Sequence, residues 1–188
     1  MNSKFAQIVN CLLLSGFLFL PQSVLGDQTD DRLKPLFDIL KSSSDDAVLA
    51  EVESTIWKIW FESGEENLDE IMEQASQAVS ARQLDQAEEM YSEVIEQAPE
   101  FSEAWNRRAT VRYYRKDYIG SLRDIQRTLI LEPRHFGAIW GLGMILGSEQ
   151  DFSGAISAFE RLLEIKPNAR DARPRIKLLK KALVDSAV

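Results

Sequence analysis

Apolar residues recur at helical spacing through most of this chain. In DQAEEMYSEVIEQAP, Ala87, Met90, Tyr91, Val94 and Ile95 fall three or four residues apart, which predicts one buried helix face. Asp85 stands where an N-cap would sit. DFSGAISAFERLLEIKP places Phe152, Ile156, Phe159, Leu162 and Leu163 on a similar stripe. Nearer the start, two helices are predicted over Asp31–Lys41 and Asp45–Glu62, joined by SSS, with Ser43 and Asp46 as a possible capping pair. Val48, Val52, Ile56, Ile59 and Trp60 form the stripe of the second. At the other end, DARPRIKLLKKAL (Asp171–Leu183) reads as a basic amphipathic helix.

The pattern repeats. Pro99, Pro133 and Pro167 are 34 residues apart, and each ends a helical run, where proline stops a helix. Superposing blocks 68–101, 102–135 and 136–169 aligns bulky Ile71, Trp105 and Ile139 at position 4 and small Ala75, Ala109 and Gly143 at position 8. Position 20 holds Ala87, Ser121 and Ala155; position 24 holds Tyr91, Ile125 and Phe159. Small residues let paired helices approach, bulky ones fill the space beside them, and a fixed period of this size predicts stacked helical hairpins.

These markers resemble the tetratricopeptide repeat from Leu68 to Ala169. The resemblance implies an all-α, right-handed α-α superhelix that binds proteins or peptides, without saying which. AWNRRATV, LEPRHFGA and LGMI are also similar to segments of small exported bacterial repeat proteins of unassigned role. The chain then divides into residues 1–26 as a signal segment and 27–67 as an N-terminal helical hairpin. Repeats follow at 68–101, 102–135 and 136–169, with a capping helix over 170–188. The hairpin is expected as a degenerate repeat or cap in front of the array. Phe37 and Trp57 keep the bulky positions, but Lys41 and Glu53 replace the small ones.

Composition adds compartment and partners. Lys4, an apolar run from Ile8 to Leu20, Pro21 and small residues before Asp27 have the layout of a secretory signal peptide. The run is shorter than the roughly 20 residues of a bilayer span; an uncleaved anchor or a buried helix is the alternative. Cleavage after Gly26 would remove Cys11, the one cysteine, which suits an oxidising compartment. Periplasm is the first expectation, secretion the second. Residues 27–103 carry 21 acidic and five basic side chains, and 104–188 nine and 16, so the halves have opposite charge. Self-attraction, and hence a homo-oligomer, is a second functional expectation beside partner binding.

NRRATVRYYRK (Asn106–Lys116) packs five positive charges into eleven residues of a chain whose net charge is −8. The family resemblance puts Asn106, Arg107, Thr110, Tyr113 and Tyr114 on the concave groove, continued by Trp140 and Met144. Arg108 and Arg112 then point the other way, toward neighbouring helices. A buried guanidinium needs a carboxylate, so both are expected in inter-repeat ion pairs, with Glu88, Glu89, Glu93, Glu96 and Asp124 as candidates. A ligand site is the alternative. Nucleic acid is an unfavourable partner for so acidic a chain.

Gly137, Gly141 and Gly147 with Trp140 and Met144 read either as a wall that a partner's backbone approaches or as room for the C-terminal helix over Trp140. The family's two-carboxylate clamp needs Lys with Asn or Arg at positions filled here by Met72, Ser76, Asn106, Thr110, Trp140 and Met144, so it is absent. His135, the one histidine, has no nucleophile placed beside it and reads as a turn or inter-repeat hydrogen bond. No catalytic residue, metal-ligand spacing or cofactor motif emerges. The expectation is a non-catalytic scaffold that binds a peptide or helix of another envelope protein.

Overall fold

A computed structural model describes residues 28–186; the signal segment expected at 1–26 lies outside them. The described residues form α1 (Leu33–Ser42), α2 (Asp46–Phe61), α3 (Glu66–Ser80), α4 (Leu84–Gln97), α5 (Ser102–Tyr114), α6 (Tyr118–Leu131), α7 (Phe136–Ser148), α8 (Phe152–Ile165) and α9 (Ala172–Asp185). No strand occurs among them. Helices α3 to α8 make three antiparallel pairs that stack in order, and α9 closes the far end against α8.

The period of 34 is written into the backbone. Arg82, Lys116 and Gln150, each 34 residues from the next, take positive φ of 60°, 66° and 65° at the turn inside each pair. In the first two turns the following residue, Gln83 or Asp117, returns its N–H to Ala78 or Arg112, which closes the helix end in the Schellman manner. Asp117 and Asp151 cap α6 and α8 by accepting from the N–H groups of Gly120 and Gly154. A Cβ at either glycine would fall 2.0 or 2.4 Å from the capping carboxylate, which would have to shift to admit it. Between pairs, the Pro turns are tied by arginines at equivalent positions: Arg127 reaches the carbonyl of Pro99, and Arg161 that of Pro133.

Two capping expectations need correction. The N-cap of α4 is Gln83, and Asp85 lies inside the first turn. Asp45, not Ser43, caps α2, accepting from the N–H groups of Ala47 and Val48; Ser43 accepts from the Asp45 N–H. The helix begins at Asp46, so Asp45 is the residue next to its orphan donors, and its Oδ1 receives both.

The N-terminal hairpin does not extend the stack in front of α3 as expected. It packs chiefly against α8 and α5. Gln28 bonds the backbone of Glu100 and Ser102 in the first Pro turn. Arg134, in the second turn, lies over Phe37 at 4.3 Å. Asn168, in the third, donates to the carbonyl of Ser43. Thus α1 runs along all three Pro turns, and α2 returns beside it. Asp46 pairs with Arg170, Glu53 with Lys166, and Trp57 meets Phe136. Leu33, Leu40, Ile56 and Trp60 are buried in one cluster with Ile139 and Phe159, so the hairpin belongs to the main core. Lys41 and Glu53 break the small-residue rule because this hairpin has no repeat to pack against in register.

Candidate functional site

The inner helices α5 and α7 form the floor of a groove beside the hairpin. At the base lies a buried polar group. Glu103, with no solvent exposure, accepts from Asn106 Nδ2 at 2.9 Å, Arg107 Nε at 2.5 Å and His135 Nε2 at 2.9 Å. His135 Nδ1 accepts from the Ala138 N–H and so caps α7, which places the ring proton on Nε2, facing Glu103. Burial pushes the Glu103 carboxyl up, but the Arg107 charge and the hydrogen bonds from His135 and Arg107 outweigh it and hold the group below the usual carboxylate range.

The hairpin roofs this network. Trp60 stacks on His135 with centroids 4.1 Å apart and planes 11° from parallel, and Trp57 meets the same ring edge-on. Arg107 lies over both Trp57 and Phe61. It therefore joins α5 to the hairpin instead of standing open on the groove.

The other predicted groove residues share one cavity. Asn106 lines it but is buried, its amide committed to Glu103. Thr110, Tyr113, Tyr114, Trp140 and Met144 line this open cavity of about 220 Å³ together with Gly141. No charged side chain lines it. Tyr114 is 59% exposed. A second cleft of about 610 Å³ lies between α2, α7, α8 and the α8–α9 turn, with Trp57, Phe136, Leu49 and Leu162 inside and the Glu53–Lys166 and Asp46–Arg170 pairs at its rim. Gly137 and Trp140 line both cavities, so the two adjoin there.

The glycines of α7 serve mainly this chain. A Cβ on Gly137 would sit 2.5 Å from Trp57, and one on Gly143 2.7 Å from Phe159. Gly147 faces Leu179 of α9. Gly141 lines the groove with room for a Cβ, which would meet only Ile125 at 3.4 Å. Trp140 packs edge-on against Phe159, with Arg175 of α9 5.9 Å from its ring centre, so the C-terminal helix covers it in part.

On the opposite side of α5, Arg108 makes a two-pronged bond to Asp124 of α6 at 2.8 and 2.9 Å and a third bond to Ser92 of α4. Arg112 bridges Asp124 and Glu88 of α4, both at 2.9 Å. Arg115 extends the chain to Glu88 and Asp85. These arginines join the first repeat to the second. His135 makes the inter-repeat hydrogen bond expected of it; what the sequence did not disclose is its partner Glu103, a groove position of the family pattern that lies fully buried, and the tryptophan roof above them.

The profile of the tetratricopeptide repeat matches residues 72–118 and 107–170. A TPR repeat-containing protein of Rhizobium etli is 33% identical over 152 residues, which span 81% of this chain and 74% of that one. The chain belongs to the tetratricopeptide repeat family. Solved structures with the same fold include the Sgt2 TPR domain from Aspergillus fumigatus, at 17% identity and a TM-score of 0.61 over 65% of this chain and 83% of that one. The first TPR of Spaghetti (RPAP3), bound to the HSP90 peptide SRMEEVD, aligns at 20% identity and 0.59 over 61% and 90%. The MamA protein aligns at 16% and 0.59 over 80% of each chain. In this tetratricopeptide array Thr110, Trp140 and Met144 of the clamp positions line the cavity without a charge, and the other three are committed within the chain. Met72 is buried, Ser76 bonds the Met72 carbonyl and Tyr91, and Asn106 serves Glu103.

Proposed function

We propose that this protein is a non-catalytic scaffold of the cell envelope that holds a segment of a partner protein in the groove between Tyr114 and Trp140. One observation carries the reading: a concave, uncharged cavity with exposed aromatic, Met and Gly surface adjoins a larger cleft through Trp140. Aromatic and Met side chains at a concave site supply contact area at low entropic cost. The RPAP3 complex supports the reading, because a peptide occupies that array. Its peptide ends in acidic residues. The groove here has no free cation to receive them, since Arg107 is taken by Glu103, which favours a neutral, apolar segment. The export-signal layout of residues 1–26 supports an envelope location, periplasmic first.

The test is site-specific photocrosslinking in cells from Tyr114 and Trp140, with Gln86 on the outer face of α4 as control. One protein captured from both groove positions and absent from the control supports the scaffold. Groove positions that capture nothing beyond the control would refute it.

A further inference from the structure

Ion pairing within the array leaves a row of glutamates on α4 and a row of lysines on α9 unanswered. Arg108, Arg112, Arg115, Arg127 and Arg134 are all engaged by carboxylates. On α4, Glu89, Glu93 and Glu96 are exposed, line one side of an open cleft, and have no cationic partner among the described residues. On α9, Lys177 and Lys181 are exposed and likewise have no carboxylate partner among the described residues.

The outer face of α9 has no partner in the fold. Ala172, Ile176 and Leu179 turn inward to the core. At about 100° per residue, Lys177 and Lys181 run along the opposite line. Leu178 and Val184, 66% and 65% exposed, flank that line on either side.

We infer that α9 of one molecule docks on α4 of a second copy. Lys177 and Lys181 are four residues apart, as are Glu89 and Glu93, so both pairs have the same rise of about 6 Å along their helices. Met90, half-buried beside the α4 glutamates, gives the flanking apolar side chains of α9 something to contact. An anionic membrane is the poorer fit, because the outermost line of α9 is cationic, whereas a helix lying in an interface turns an apolar line to the lipid. The two docking surfaces differ, so each copy retains one of each and the assembly grows open-ended instead of closing as a dimer.

Analytical ultracentrifugation of the chain from Asp27 to Val188 tests this across a concentration series at about 20 mM and about 500 mM NaCl, where the screening length falls from about 20 Å to about 4 Å. Concentration-dependent growth at low salt that disappears at high salt is expected. K177E/K181E and E89K/E93K should each remain folded by circular dichroism and shift half-association to at least about tenfold higher concentration. Mixed together, the two variants should associate again and grow as an alternating chain, since the native pair of faces and the doubly reversed pair are both complementary in charge. Monomers at every concentration, association indifferent to either reversal, or binding to phosphatidylglycerol vesicles without self-association would each overturn the proposal.

Discussion

His135 and Glu103 meet 2.9 Å apart with neither side chain exposed to solvent, although 32 residues separate them in sequence. The histidine caps α7 with one ring nitrogen and donates to α5 with the other, so one side chain fixes the angle between two repeats. Stability should report on this pair through pH. The Glu103 carboxyl is held below its ordinary value of 4.5, so its contribution is complete above that value and lost as pH falls through the lower folded value. Urea titrations between neutral pH and about pH 3 should show Glu103→Gln losing less stability on acidification than the parent chain. An unchanged pH slope would contradict the assignment.

Asp124 is 2% exposed and answers two guanidinium groups, from Arg108 and Arg112. Removing it leaves Arg108 with only Ser92 and Arg112 with only Glu88. Asp124→Ala is expected to cost about 3–5 kcal/mol of unfolding free energy, whereas an exposed control such as Glu149→Ala should stay within about 0.5 kcal/mol. Chemical denaturation of the three chains side by side decides whether these arginines bind repeats together.

Gly137 has no room for a side chain beside Trp57. Gly137→Ala should destabilise by about 1–3 kcal/mol through overpacking. The same substitution in a Trp57→Leu background should cost markedly less, because the clashing ring is gone. A full, equal cost in both backgrounds would show that Trp57 is not the obstacle.

Lys116 is exposed, holds φ of 66° and has no carboxylate partner among the described residues. A side chain in this left-handed conformation costs about 1–2 kcal/mol, partly returned when glycine loosens the unfolded chain. Lys116→Gly is therefore expected to raise stability by up to about 1 kcal/mol. Thermal unfolding would show a Tm higher than that of the parent.

The array itself was legible because a period of 34 names helices, turns and the small residues between them at once. The direction of the α5 arginines was legible too, since helical angles follow from residue number alone. The path of the hairpin was not. Val52, Ile56 and Trp60 announce an apolar face, but periodicity says nothing about which surface buries it. Glu53 finds Lys166 113 residues downstream, a pairing no local pattern encodes. Likewise Gly137 reads as an open wall until Trp57 is seen filling it.

During synthesis, α1 and α2 leave the ribosome first, yet the surfaces that receive them, from Glu100 to Arg170, are made last. Trp57 and Trp60 must therefore wait for His135 and Phe136, 75 to 79 residues downstream, before their rings are covered. Most repeat arrays can set from one end as they are made. This one completes the cluster that joins its first helices to its last only when α7 to α9 arrive, so the growing chain keeps that apolar surface open to aggregation until then.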